Sequence, residues 1–435
     1  STSVVMGCSS SVTKVHPSDG YGAPTGFHDK YILGVKLGKG AFAQVRVAAR
    51  VNAGEILPRD SLLSIESIWK AVKIVDLTGD DKSRRIKMVK NEILVWSQVE
   101  DDPHCLRLCE VFLEGDICYM VMEKCQYRLI HYLEEMDEIN ERSLGAVFLQ
   151  MLSGIAYLHS VGVVHRDIKP DNFLVGGSDS QTVKICDFGL SGIMPKDGQL
   201  VGICGTSPFM CPEMLLNRSC DTKADIWSFG VSVYLLFFGE FPYSPPDSSS
   251  QPSASDMKQA ILDGKTPKFR PSCCLLDPDV LTLSRYAVEF SMALLTREPI
   301  ERPNAMEALN LTYVVLASES RHMNDEEVPS LRPMLHSMKS VGACETRSRC
   351  RADWLDTLLN QRQMEKHGIP IKSCRGSKDY HMSRSARRNQ DGNPCLLTHR
   401  SRTITSEAIG KSTTSGDPQS TCFAGFGLIL ERTPS

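Results

Sequence analysis

The sequence predicts an α+β chain, with strands gathered in its first third and mainly helix beyond. Three patterns point there. From Tyr31 the apolar residues alternate through Ile32-Leu33-Gly34-Val35-Lys36-Leu37, and Gly38-Lys39-Gly40-Ala41-Phe42-Ala43-Gln44-Val45 follows, which reads as strand, glycine turn and strand. Short runs at Trp69-Lys70-Ala71-Val72-Lys73-Ile74-Val75 and Ile117-Cys118-Tyr119-Met120-Val121-Met122-Glu123 read as further strands. Beyond them Leu144, Val147, Phe148, Met151, Leu152, Ile155 and Leu158 recur at three- and four-residue intervals, the spacing of a buried amphipathic helix.

The 435 residues suffice for one large or two to three ordinary domains. A hydrophobic content of 41% suits a soluble globular chain, and a net charge of −3 excludes a protein dominated by nucleic-acid binding. The 16 cysteines have no framework spacing and no secretory leader precedes them, so they read as the reduced thiols of a cytoplasmic protein. No apolar run reaches the ~18 residues of a membrane helix. Residues 226–238 come nearest and contain Ser228 and Ser232.

Residues 1–30 read as a flexible segment. Within it Met6-Gly7-Cys8-Ser9-Ser10-Ser11 fits the pattern for myristate on a glycine exposed by removal of methionine, with Ser11 at the hydroxyl position and Cys8 placed to take a palmitate. Two acyl chains would hold the protein stably on the cytoplasmic face of a membrane, where one binds only reversibly. The acylation reading requires Met6 to be the initiator; otherwise Gly7 is internal and the stretch is a plain small-residue tail. Further on, residues 52–67 read as a surface insertion, and a basic helical stretch at 82–90 runs into Asn91-Glu92-Ile93-Leu94.

The densest chemistry lies in His165-Arg166-Asp167-Ile168-Lys169-Pro170-Asp171-Asn172, followed by Asp187-Phe188-Gly189. Two acids and an amide at this spacing, with a lysine two residues after the first acid, supply what phosphoryl transfer needs. Together these motifs strongly resemble the protein kinase family in its serine/threonine branch. The resemblance implies a bilobal kinase domain at 31–317, a small antiparallel β lobe with one regulatory helix at 31–123 and a larger, mainly helical lobe at 124–317, with ATP as phosphate donor, Mg2+ as cofactor and protein serine or threonine hydroxyls as acceptors. It makes Asp167 the catalytic base, has Lys169 balance charge on the moving phosphoryl group, and gives Mg2+ to Asn172 and Asp187. Lys73 would grip the phosphates and pair with Glu92, nineteen residues on, a pair that forms only when its helix is docked. Leu37, Gly38, Lys39, Gly40, Ala41, Phe42 and Ala43 would cover the phosphates, with Ala43 standing where the family has a third glycine. Val45, Ala71 and Leu174 would sandwich the adenine, Met122 would back the pocket, and the backbone from Glu123 to Cys125 would bond the adenine edge. Trp96 would join an internal hydrophobic spine with Leu108, His165 and Phe188 and hold the helix inward.

In the large lobe, Gly205-Thr206-Ser207-Pro208-Phe209-Met210-Cys211-Pro212-Glu213 resembles the family's substrate-docking segment, Glu213 is expected to pair with Arg302, and Asp225 to anchor the catalytic loop. Between Gly192 and Cys204 there is no serine, threonine or tyrosine, and Gly202 stands where many relatives are phosphorylated. Activity is therefore expected to be independent of a phosphate there. Asp171 could attract a basic residue of a substrate, against the opposite charge of Arg128. Residues 243–256 read as a flexible insertion.

Residues 318–435 are expected to be largely disordered, with one helical island at 347–366 where Trp354, Leu355, Leu358 and Leu359 line one face. That island is a candidate autoinhibitory helix, a calmodulin target, or a transient helix; Asp353 and Asp356 count against calmodulin. The domain is most similar to the calcium/calmodulin-dependent and calcium-dependent kinases, through Asp187-Phe188-Gly189-Leu190-Ser191 and Cys204-Gly205-Thr206, although the chain has no EF-hand loop. The competing class is a catalytically inactive kinase-fold scaffold. Lys73, Asp167, Asn172 and Asp187 are all present, and the 205–213 segment speaks for peptide rather than small-molecule substrates.

Overall fold

The computed structural model describes residues 26–40, 43–51, 69–177, 180–245, 252–269, 283–319, 329–340, 352–368 and 371, all within one compact unit, Ser1–Ser373. A single helical turn, α1 (Phe27–Lys30), leads into β1 (Tyr31–Lys39), β2 (Ala43–Arg50) and β3 (Trp69–Asp76). Helix α2 (Lys82–Trp96) follows, then β4 (Leu108–Glu114) and β5 (Ile117–Glu123). The strands form one antiparallel five-stranded sheet in the order β1-β2-β3-β5-β4.

β5 is apolar almost throughout because the sheet is covered on both faces. Side chains alternate across a strand, so Cys118, Met120 and Met122 join Ala71 and Val75 in the main core, toward α2. Ile117, Tyr119 and Val121 join Val72 and Ile74 in a second core on the opposite face. Part of that second core comes from the stretch expected to be flexible. Phe27 of α1 is fully buried, stacked 4.3 Å from the Tyr119 ring and 5.4 Å from Tyr31.

The large lobe opens with β6 (Tyr127–Arg128), α3 (Leu129–Glu135) and α4 (Glu141–Ser160). α4 starts at Asn140, whose side chain accepts from Ser143 N at 3.0 Å while Asn140 N donates to Ser143 Oγ at 2.9 Å, satisfying two otherwise orphaned amides. All seven apolar residues that predict this helix are buried. Then come β7 (Val163–Val164), β8 (Phe173–Gly176), β9 (Thr182–Ile185) and β10 (Gly192–Ile193), with β6, β8 and β9 in one small sheet and β7 paired with β10. The remaining helices of the lobe are α5 (Pro212–Leu215), α6 (Lys223–Phe238), α7 (Ala254–Asp263), α8 (Arg285–Leu294), α9 (Ala305–Leu309) and α10 (Thr312–Ser318). α6 is buried on every side, which explains its apolar run: it is the central core helix. Among the described residues no helix is long and apolar enough to cross a membrane.

Two regions depart from expectation. The ends of the 243–256 stretch belong to the lobe: Tyr243 is buried and stacked 5.6 Å from Trp227, and Ser253 caps α7 by accepting from Asp256 N at 3.2 Å. The stretch after 318 contains two docked helices, α11 (Arg332–Ser340) and α12 (Ala352–His367). At α11, Leu331, Met334, Leu335 and Met338 bury into the large-lobe core, and the Arg332 guanidinium donates to the carbonyls of Glu134, Met136 and Asp137 at the end of α3. α12, the expected island, buries Leu355 and Leu359 in the second core of the small lobe, with Leu358 partly buried. Gly7, Cys8, Ala41, Phe42, residues 52–67 and 347–351, and the Trp354 side chain lie outside the described residues.

Candidate active site

The inner face of β3 presents Lys73, and α2 lies against that face. Lys73 Nζ stands 2.6 Å from Glu92 Oε1 and 3.0 Å from Asp187 Oδ1, so one ammonium joins the helix, the sheet and the large lobe. Burial alone would lower this lysine, but Asp187 and Glu92 outweigh it and raise it above its ordinary value. Lys73 in turn holds Asp187 below the usual carboxylate range. Asp187 adopts a left-handed backbone, φ 66°, and its side chain is half exposed while the next residue, Phe188, is fully buried.

An aromatic column packs against the end of α2. Trp96, one turn after Glu92, is buried and donates from Nε1 to Leu106 O at 2.6 Å. Its ring lies 5.4 Å from Phe188, which lies 5.6 Å from His165. Leu108 belongs to the same core.

The loop carrying Asp167 is anchored from beneath by α6. Asp225, fully buried, accepts from His165 N at 2.8 Å and Arg166 N at 2.7 Å, with His159 Nε2 at 2.9 Å. Burial would raise this carboxyl, yet the His159 contact and the backbone donors hold it below its ordinary value. These bonds also fix Arg166 at φ 63°, a strained setting for a residue with a side chain.

Both oxygens of Asp167 are engaged. Lys169 Nζ donates to Oδ2 at 2.7 Å, and Thr206 donates to Oδ1 from its backbone at 2.9 Å and its hydroxyl at 2.7 Å. Lys169 also reaches Thr206 Oγ1 at 2.6 Å. Asn172 Nδ2 donates to Asp167 O at 2.8 Å and Oδ2 at 3.1 Å. Gly205 permits the close approach of the two segments: at φ 103° an added Cβ would stand 2.6 Å from Arg166 O.

Around the cleft, Ala71 pairs with Met122 and Val45 with Lys73 across neighbouring strands, and Leu174 lies on β8. Gly40 N closes the described part of the glycine turn on Ala43 O at 2.7 Å. Lys184, which sequence reasoning missed, is buried on β9 and pairs at 3.2 Å with Glu123, the last residue of β5. Its signal was a lone charge in the apolar run Thr182-Val183-Lys184-Ile185. Farther out, Arg302 is bidentate to Glu213 at 2.7 and 3.1 Å.

A divalent cation would meet hard oxygen donors here, the Asn172 amide oxygen and the exposed Asp187 carboxylate. Few protein oxygens suit Mg2+, which keeps water and substrate phosphate as its other ligands. Among the described residues no group of three or more His, Cys, Asp or Glu forms a closed metal cage. The eight described cysteines are free thiols.

The five-stranded lobe with α2 against its inner face and the mainly helical lobe form the bilobal kinase architecture. Residues 31–314 match the family model described as protein kinase domain, and the chain belongs to the protein kinase family. It is 35% identical over 236 residues to the serine/threonine-protein kinase kin-29 of Caenorhabditis elegans, covering 54% of this chain and 26% of that protein. It is 31% identical over 312 residues to CDPK-related kinase 5 of Arabidopsis thaliana, covering 71% and 47% respectively. A probable myosin light chain kinase of Dictyostelium discoideum is 31% identical over 284 residues, covering 65% and 73%. The match thus spans less than half of the first two relatives.

Proposed function

We propose that this chain transfers the γ-phosphate of ATP to serine and threonine hydroxyls of proteins. The observation that carries the proposal is Lys169, whose ammonium bonds both Asp167 and Thr206 and so sets a base and a positive charge side by side at the substrate segment. Asp167 orients the incoming hydroxyl and accepts its proton, while Lys169 offsets charge on the transferring group. Lys73, oriented by Glu92, holds the nucleotide phosphates. Leu37 to Ala43 covers them, Val45, Ala71, Leu174 and Met122 enclose the adenine, and the backbone of Glu123 to Cys125 bonds its edge. Asn172 and Asp187 would hold Mg2+, which when bound neutralises phosphate charge.

The stretch from Leu190 to Thr206 supports competence without a phosphate. Arg166 Nε donates to Leu190 O at 2.8 Å and its guanidinium packs on Gly192, where an added Cβ would stand 3.2 Å from Nη2. Leu200 and Cys220 exchange backbone bonds of 2.8 and 2.9 Å, which tether the segment to the lobe. Ser191 is fully buried, and Thr206 is committed to Asp167 and Lys169. We assign the enzyme to the calcium/calmodulin-dependent and calcium-dependent group on its motifs, with acylation at Gly7 and Cys8 as its route to membranes.

The test is phosphate transfer from Mg-ATP to serine, threonine and tyrosine peptides by the full chain and by Asp167→Ala. Transfer to serine or threonine peptides above the Asp167→Ala background supports the proposal. Mg-ATP binding with no transfer by the wild type means a catalytically inactive scaffold.

A further inference from the structure

We infer that Asp356, on the carboxyl-terminal helix α12, is a positioning residue for the nucleotide cleft: it clamps together the two strands that carry the glycine turn. The inference rests on the kinase reading of that cleft.

β1 is an edge strand, and α12 supplies what a neighbouring strand would have given it. Gln363, fully buried, accepts from Leu33 N at 2.7 Å and donates to Leu33 O at 3.2 Å. Two helical turns earlier, Asp356 accepts from Lys36 Nζ at 2.7 Å through one oxygen and from Arg46 Nη2 at 2.8 Å through the other. Leu359 is buried between these anchors, and Leu355, next to Asp356, is buried beside them. An apolar contact alone tolerates sliding; two polar anchors seven residues apart set one register of helix on sheet.

The place where Asp356 acts is specific. Lys36 and Arg46 are direct partners across β1 and β2, and the pairing is irregular on both sides of them. Lys36 immediately precedes Leu37, and Arg46 immediately follows Val45, so the clamp sits at the root of the segment that covers the phosphates and adenine. Arg46 also fills the irregularity: Nη1 donates to Gly34 O at 3.0 Å and Nε to Gln44 Oε1 at 3.2 Å. Its side chain is only 4% exposed, and Asp356 is the only carboxylate paired with it among the described residues. Without that carboxylate a nearly buried guanidinium lacks its counter-charge. Arg46 then turns toward water, Gly34 O loses its donor, and the strands no longer hold the turn over the cleft.

The experiment uses the full chain as wild type, Asp356→Ala and Asp356→Glu; alanine favours helix, so α12 persists. Mg-ATP affinity is measured by calorimetry, KM and kcat by peptide phosphorylation, and strand opening by amide hydrogen exchange without nucleotide. Asp356→Ala is expected to weaken Mg-ATP binding and raise KM for ATP by about three- to fivefold. Its kcat should stay within about twofold of wild type. Exchange should quicken at residues 34–38 and 44–47 and stay unchanged in α12, and Asp356→Glu should restore most of the affinity. Unchanged ATP affinity in Asp356→Ala overturns the inference. So does a loss that comes with faster exchange across the whole lobe, which marks a merely structural residue. A wild type that binds Mg-ATP without transferring phosphate sinks the enzyme proposal alone, since affinity and exchange still decide the role of Asp356. A wild type that does not bind Mg-ATP overturns both.

Discussion

The two faces of the small-lobe sheet are built from alternate residues of the same strands, yet they do opposite things. The inner face carries Ala71, Lys73 and Met122 to the cleft, and its polar group is paired with residues of α2 and of the Asp-Phe-Gly turn. The outer face carries Val72, Ile74, Tyr119 and Val121 and is closed by Phe27 and by Leu355 and Leu359 of α12. Chemistry needs chosen residue types at defined positions, whereas a cover needs only apolar surface of the right shape. Substitutions on the inner side should therefore change the reaction, and truncations of the apolar side chains on the outer side should chiefly change stability.

The largest effect is expected from Asp167→Ala, which should lower phosphate transfer by roughly 10²–10⁴-fold while leaving the fold and Mg-ATP binding in place. Circular dichroism and calorimetry beside the transfer assay check this, and near-normal turnover would remove Asp167 from the chemistry. Next, Trp96→Ala should cost about 3–5 kcal/mol in urea unfolding. It should also depress transfer, because the column from Trp96 through Phe188 to His165 holds α2 and with it the Lys73–Glu92 pair. Full activity per folded molecule in that variant would reduce Trp96 to plain packing.

Leu359→Ala tests the other face. Deleting a fully buried leucine should cost about 2–5 kcal/mol, read as a lower melting temperature, with turnover per folded molecule unchanged at low temperature. A turnover loss as large as that of Trp96→Ala would erase the contrast between faces.

The smallest effect concerns pH. His28, 6% exposed, is lowered from 6.5 to about 4, first by burial and then by His367, Arg362 and Lys366, with Asp29 opposing. Its Nδ1 is buried with no hydrogen-bond partner, which suits a neutral ring. Between pH 6.5 and 4 the unfolded chain binds the proton that the folded one refuses, so acidification favours unfolding. From pH 7 to 5 stability should fall by on the order of 1–2 kcal/mol through this group. Urea unfolding of wild type and His28→Gln at both pH values checks it; an unchanged pH slope in the variant would exonerate His28.

The contrast between faces also marks how far the sequence could be read. The candidate site residues Lys73, Glu92, Asp167, Asn172 and Asp187 were legible because the proposed phosphoryl transfer demands specific groups at fixed spacing, and most sit on short local segments. The helical stripe from Leu144 to Leu158 was legible because a helix buried on one face repeats with a regular period. α11 was not, since its few apolar residues acquire meaning only against α6 and the loop before α4. The burial of Phe27 was equally hidden. A hint did exist in β5: an unbroken apolar run signals a strand covered on both faces, and so a second cover somewhere in the chain.

By itself the sequence determined the kinase family, the bilobal α+β plan and the candidate site residues, because local chemistry and local periodicity are written along the chain. Only the tertiary structure decided that α12 closes the outer face and that Asp356 meets Lys36 and Arg46, more than 300 residues away. Such contacts depend on which apolar surfaces meet once the lobes have formed, and nothing in the spacing of residues along the chain encodes that choice.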